Sequence, residues 1–308
     1  MPFSPLARLF TYLGVSLLLA NALAALLFLV AHALGRRSSA APGSLPSMLE
    51  LLASMVVVAP VIAAWTAWMQ RRHGQTLADL GFTLPPPVGR FFRGWAIGLG
   101  ITGLFLLVGL ASGSLAWASA DSVTLATRWG ALGGGVVALA LAAGFVLQGG
   151  LEELMLRGYV QHTVEEWRAH SENRASARGW VLVVPAAIFA LFHGLNPGFT
   201  PLALFNTFAI GLVFSEWVLR ARSLWDVIGV HAGWNFGLAV LWSLPVSGFQ
   251  TLHLLPIVSR EARTSVWLTG GGYGPEAGVA CTLITIAGWF AVRKFVQPTT
   301  EPTTQPRG

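Results

Sequence analysis

Two adjacent carboxylates, two imidazoles, a carboxamide and an arginine stand inside apolar stretches of this 308-residue chain: Glu152 and Glu153 with Arg157, then His193, then His231 with Asn235. On a helix, Glu153 and Arg157 are spaced i,i+4 in the order that favours an ion pair. Glu152 points about 100° away from Glu153 and has no local cation. One acid is thus neutralised, and the other is a candidate general base. The plainer alternative puts both acids in water at a helix end, and spacing alone leaves the two readings open. His231 and Asn235, also i,i+4, project from one helical face. Two donors aimed at one point are what an oxyanion hole requires, and they are also what a hydrogen-bonded stitch between membrane helices requires. His193 ends the segment Phe189-Ala190-Leu191-Phe192-His193 after an apolar run from Trp180. In a soluble core such a histidine is more often structural; at lipid depth, ionisable side chains are rare and face a bundle interior or a water-filled cavity.

The elements that carry these residues follow from composition. The chain is 54% hydrophobic and 10% charged, against about 25% charged in a soluble domain, so one soluble core cannot hide its apolar side chains. With 35 Gly, 13 Trp and 18 Phe, it is not a disordered chain, a coiled coil or a disulfide-rich module. The single Cys281 can form no internal disulfide. The net charge of +6 comes from basic residues spread thinly between apolar runs, which excludes a nucleic-acid-binding face. Stretches long enough to cross a bilayer, about 20 residues, fall near 9–34, 47–69, 94–118, 131–155, 180–198, 201–219, 224–247 and 277–292. The expected fold is all-α, a polytopic membrane helix bundle with about eight transmembrane helices. The helix of the fourth stretch can continue to Arg168, which would bury Glu152 about 24 Å from that end.

Lys and Arg favour the cytoplasmic side. With the N-terminus inside, only Arg36, Arg37, Arg128, Arg260 and Arg263 of the 19 basic residues fall outside, so both termini are expected to be cytoplasmic. Ala31-His32-Ala33 resembles a signal-peptide cleavage site, but the run before it exceeds the usual 7–15-residue apolar region, and the first stretch reads as a retained span. The chain divides into 1–93, two spans and a basic, Pro-rich linker over 70–93; 94–297, the core; and 298–308, a tail expected to be disordered. Gly270–Pro275 reads as a loop, because no Lys-Ser/Thr follows it as a phosphate loop requires. Gly94-x-x-x-Gly98 reads as close helix packing, Glu216 with Arg220 as a structural ion pair, and Glu50 as an interfacial residue.

The order Glu152-Glu153-x-x-x-Arg157, Phe189-x-x-x-His193, His231-x-x-x-Asn235 on successive membrane helices resembles the CPBP family, the CAAX proteases and bacteriocin-processing enzymes, also called the Abi family. The resemblance covers about residues 130–245, and Leu77–Phe82 looks like a segment these proteins often carry upstream. It implies an intramembrane endopeptidase with a cavity open to the cytosol. Glu152 would activate water with His193 assisting, His231 and Asn235 would stabilise the oxyanion, and Glu153 and Arg157 would be structural. The partners implied are a membrane-associated, lipidated or CAAX-like peptide or protein and the lipid bilayer. Short loops point to a bacterial cytoplasmic membrane.

Two alternatives stand beside this reading. Glu152, His193 and His231 are acceptable zinc ligands, but no His-Glu-x-x-His occurs and Asn235 is a poor ligand. No cofactor is therefore expected, with zinc left open. A non-catalytic scaffold or transporter would use the same polar groups as interhelical glue or a proton relay, although no internal repeat of the transporter kind is visible.

Overall fold

The computed structural model describes residues 4–33, 45–117, 124–169, 173–249, 257–259 and 266–299. In chain order it runs α1 (Pro5–Ala33), α2 (Leu45–Arg71), α3 (Val88–Ala111), β1 (Leu115–Trp117), α4 (Leu125–Glu153), a π-helical turn over Leu154–Val160, α5 (Gln161–Arg168), α6 (Arg174–His193), α7 (Pro201–Ala221), α8 (Trp225–Phe236) with a second π-helical turn over Gly237–Leu241, β2 (Ile257–Ser259), the short α9 (Val266–Thr269) and α10 (Val279–Phe295). The architecture is an all-α polytopic bundle, to which β1 and β2 add one small antiparallel ladder.

Among the described residues six segments are long and apolar enough to cross a membrane: Pro5–Leu27, Leu52–Arg71, Val88–Ala111, Arg128–Arg168, Ala175–His193 and Pro201–Ala221. The seventh and eighth expected stretches form shorter helices. These are α8 with its π turn, 12 and 5 residues, and α10, 17 residues, which is the lower end of the range that spans hydrocarbon.

Several boundaries differ from the sequence expectation, among them α6, which runs over Arg174–His193 and not to 198. The third helix starts at Val88, directly after Pro87, because proline is tolerated at a helix entrance but not within one; residues 88–93 therefore belong to the span and not to the linker. It ends at Ala111, and Gly113 at φ 70 turns the chain into β1, so the stretch does not run on to 118. The seventh stretch leaves helical geometry after Leu241, ahead of Pro245. The fourth helix continues to Arg168 with a bend at Gly130, whose φ is 73.

Helix α3 packs on α8, α6 on α7, α7 on α10, and α4 on both α2 and α8. The α3–α8 crossing is set by glycines on both helices. A Cβ at Gly94 would lie 2.1 Å from the Asp226 carbonyl oxygen and one at Gly98 2.4 Å from that of Val230. In return, one at Gly229 would lie 2.2 Å from the Phe91 oxygen and one at Gly233 2.5 Å from that of Trp95. The expected Gly94-x-x-x-Gly98 contact is thus matched by Gly229-x-x-x-Gly233, which brackets His231. Close approach of small residues supplies the dispersion that holds helices together in lipid.

At one end of the bundle, ion pairs of several basic residues tie the elements. Arg8 of α1 meets Glu166 of α5 at 2.7 Å, and Arg222 meets Glu165 at 2.7 Å. Arg90 and Arg93 both reach the buried Asp226. Glu216 pairs with Arg220 at 2.7 Å as expected, and also with Arg178 at 2.6 Å. The Leu77–Phe82 segment docks here through the Leu224 N–H, which donates to the Gly81 carbonyl at 3.0 Å. Thr299 donates from N and Oγ1 to the Arg220 carbonyl. The expected disorder of the tail beyond it, and the side chain of Glu50, lie outside the described residues.

Candidate active site

The last turn of α4 presents Glu152 and Glu153 to different surroundings. Glu153 is fully buried; its Oε1 lies 3.2 Å from Arg157 Nη1 and accepts a hydrogen bond from His231 Nδ1 at 2.8 Å. The i,i+4 pair forms although the chain opens at Leu154 into a π turn, the wider i→i+5 geometry that often marks functional sites. Arg157 is also fully buried, its guanidinium 4.3 Å from the Phe189 ring centroid and 5.6 Å from that of Phe214. These cation–π contacts supply solvation that lipid cannot.

Glu152 is oriented differently. Its Oε1 accepts from Gln148 Nε2, and its buried Oε2 has no hydrogen-bond partner among the described residues and stands 3.9 Å from His231 Nε2. Helix α8 brings His231 between the two acids, and it can approach α4 so closely because residue 149 is glycine: a Cβ there would lie 3.2 Å from the imidazole Cγ. One turn later on α8, Asn235 Nδ2 donates to Gln148 Oε1 at 3.0 Å.

His193 ends α6, and its Nδ1 lies 2.9 Å from the Phe189 carbonyl oxygen. A carbonyl only accepts, so Nδ1 carries the proton and Nε2 keeps its lone pair in the neutral ring. The Phe189 ring stands edge-on to both histidines, with centroids 4.4 Å from His193 and 6.1 Å from His231. The aromatic residue of the Phe-x-x-x-His spacing is therefore the wedge between both imidazoles and the Arg157 guanidinium.

A cavity of about 1030 Å³ is lined by Glu152, His193, His231 and Asn235 together, so three helices bring the four side chains singled out for chemistry to one space. Glu153 and Arg157 stand behind its wall. Most of the remaining lining is apolar, from α3, α7 and α10.

Three further residues on this cavity were not picked out by sequence reasoning as part of the site. Gln148 has a signal that could have found it, the i,i+4 spacing to Glu152. Cys281, remote in sequence, also lies on the wall. Glu276, in the turn before α10, is buried; it accepts from the Ser247 backbone N–H at 2.5 Å and from Trp234 Nε1 at 3.2 Å. Burial pushes its carboxyl above the ordinary range, an effect that these donors partly offset. The Gly270–Pro275 stretch forms successive 3₁₀ turns leading to this residue.

Among the described residues no group of three His, Cys, Asp or Glu side chains has metal-holding geometry.

Residues 134–237 match the family model described as Type II CAAX prenyl endopeptidase Rce1-like. No curated protein and no solved structure matches the chain. The matched segment begins within α4, ends just after Asn235 and contains all three motifs; α1 to α3, the Glu276 turn and α10 lie outside it. Over residues 134–237 this multi-pass membrane chain is therefore similar to the type II CAAX prenyl endopeptidase Rce1-like family.

Proposed function

We propose that this protein is an intramembrane endopeptidase that hydrolyses peptide bonds of membrane-associated substrates, using water activated by Glu152 and His193. The observation that carries the reading is the unequal placing of two neighbouring acids: each has one oxygen without a hydrogen-bond partner among the described residues, but Glu153 is fully buried against Arg157 and His231, whereas Glu152 lines the cavity. Geometry of this kind separates a structural acid from a reactive one.

In the proposed reaction Glu152, with His193 Nε2 assisting, takes a proton from water as the water oxygen bonds to the peptide carbonyl carbon. The carbonyl π pair moves onto its oxygen, and the oxyanion is met by the Asn235 amide N–H and by His231 Nε2–H. Because His231 Nδ1 already donates to Glu153, donation from Nε2 requires the doubly protonated ring, whose charge the two flanking carboxylates balance. The carbonyl re-forms as the C–N bond breaks, and the proton held by the Glu152–His193 pair passes to the departing amine. The products are a carboxylate and a free amine, and no enzyme nucleophile or metal enters. Preorganised donors at the developing oxyanion are commonly the largest single contribution to such a rate.

The apolar wall of the cavity favours a substrate whose scissile bond lies beside a lipid or an apolar segment, as in a lipidated, CAAX-like C-terminus. We place both termini on the cytoplasmic side, where the basic end of the bundle would face, and the protein in a bacterial cytoplasmic membrane. The test uses the full chain in liposomes with a fluorogenic peptide ending in a prenylated cysteine motif, the products being identified by mass spectrometry. The wild type should release a C-terminal fragment, and the same peptide without the lipid should be cleaved much more slowly. Equal cleavage of both would remove the lipid preference. Cleavage of no membrane-associated peptide would overturn the protease reading in favour of a scaffold or transporter.

A further inference from the structure

Between Glu152 and Asn235 stands a residue to which no role has been given. Gln148 lies one turn before Glu152 on α4, half-buried on the cavity wall, with Nε2 donating to Glu152 Oε1 and Oε1 accepting from Asn235 Nδ2 at 3.0 Å. The two contacts are not independent. An ionised carboxylate can only accept, so it selects the amide face of Gln148 that carries hydrogens. That choice turns the Gln148 oxygen toward Asn235, and an oxygen there selects in turn the NH₂ face of Asn235. Were Gln148 reversed, its NH₂ would meet Asn235 Nδ2, donor against donor, unless Asn235 reversed as well; the reversed Asn235 would then offer no donor from that position.

We propose that Gln148 is a positioning residue that transmits the charge of Glu152 to the Asn235 carboxamide, fixing its NH₂ group as the oxyanion donor. One Nδ2 hydrogen is held by Gln148, and the other is left for the substrate oxygen. The acid that activates water thereby also orients the amide that receives the charge formed by the attack. This relay rests on the reading given under Proposed function, since it assigns Gln148 a part only if Glu152 and Asn235 have theirs.

The test compares kcat and KM for wild type, E152Q, N235A, Q148M and the double variant Q148M/N235A, each in liposomes with the same peptide and with thermal unfolding recorded beside it. Q148M keeps the length and volume of the side chain and removes both hydrogen bonds. It should lower kcat about ten- to a hundredfold, somewhat less than the loss of an oxyanion donor outright, while KM changes less than about twofold. Its cost should shrink severalfold in the N235A background, because residues acting as one unit are not additive. If Q148M does not fold, Q148A carries the same expectation. An inactive wild type would overturn the protease reading itself, and a fully active E152Q would overturn the role of Glu152 on which the relay rests. With those two as expected, unchanged kcat in Q148M, or an equal loss with and without Asn235, would overturn the relay alone.

Discussion

Replacing Glu153 with glutamine removes one unit of charge from the acid that Arg157 and His231 share. In the native protein Glu153 Oε1 meets Arg157 Nη1 at 3.2 Å and His231 Nδ1 at 2.8 Å, and both Glu153 and Arg157 side chains are fully buried. Glutamine keeps the shape, but its single oxygen serves two donors without charge, and its NH₂ has no acceptor in either partner. Breaking a buried ion pair from one side costs about 3–5 kcal/mol. The Phe189 and Phe214 rings beside Arg157 soften this, since a desolvated cation–π contact contributes about 2 kcal/mol. The lower end, about 3 kcal/mol, is therefore expected, a fall in Tm of about 5 °C for a chain of this size. Glu153→Gln with Arg157→Met should recover most of that loss, because removing a buried pair entirely is often close to neutral. It should not recover activity, because His231 has lost its anionic acceptor. The assay is thermal unfolding of purified protein in detergent for the two single variants and the double, with peptide hydrolysis measured on each. A single variant within about 0.5 kcal/mol of wild type, or a double variant less stable than either single one, would refute the reasoning.

Three further outcomes follow from the packing and the cavity. Gly229→Ala puts a methyl group 2.2 Å from the Phe91 carbonyl oxygen and should cost about 1–3 kcal/mol by overpacking; Gly100→Ala, with nothing within 4 Å, should be neutral or slightly stabilising in the same unfolding assay. Cys281→Ala should leave kcat within about twofold of wild type, because the reaction assigned here uses no thiol although that residue lies on the cavity wall; loss of hydrolysis would point to a cysteine nucleophile. Burial raises the Glu276 carboxyl, so the folded protein holds its proton where the unfolded chain has released it. Its contribution to stability is then complete below the ordinary carboxylate range and fades as pH rises through the folded value. Glu276→Gln should flatten that part of the Tm–pH curve, and an unchanged slope would show that this group is not its source.

Much of the site was legible because lipid makes polar residues conspicuous. Glu152, His193, His231 and Asn235 stood out as costly exceptions in apolar stretches, and i,i+4 spacing correctly paired Glu153 with Arg157. The same local rule could not show that His231 comes from α8 to share Glu153, since that contact depends on how α4 and α8 pack. Gln148 escaped notice because an uncharged amide raises no alarm in a sequence, and Glu276 because its partners are distant along the chain. The helix ends misread at residues 94, 118 and 247 reflect a window that weighs hydropathy and not backbone chemistry. Pro87 permits an earlier start to α3, Gly113 an earlier stop, and Pro245 forbids α8 from running on. The reciprocal glycine contact was half visible: Gly94-x-x-x-Gly98 was recognised, but its partner lay hidden around the more conspicuous His231.

The assignment of Glu152 as the acid that activates water is tested most directly by single-turnover hydrolysis with Glu152→Gln in liposomes, beside a measured Tm. The substitution keeps the side chain's size but removes both the ability to take a proton and the charge that orients Gln148. The account predicts a rate at least about a thousandfold below wild type with an unchanged Tm, combining the loss of general-base catalysis, about 10²–10⁴, with disruption of the amides that Glu152 orients. A folded Glu152→Gln protein that cleaves the peptide at the wild-type rate would contradict it.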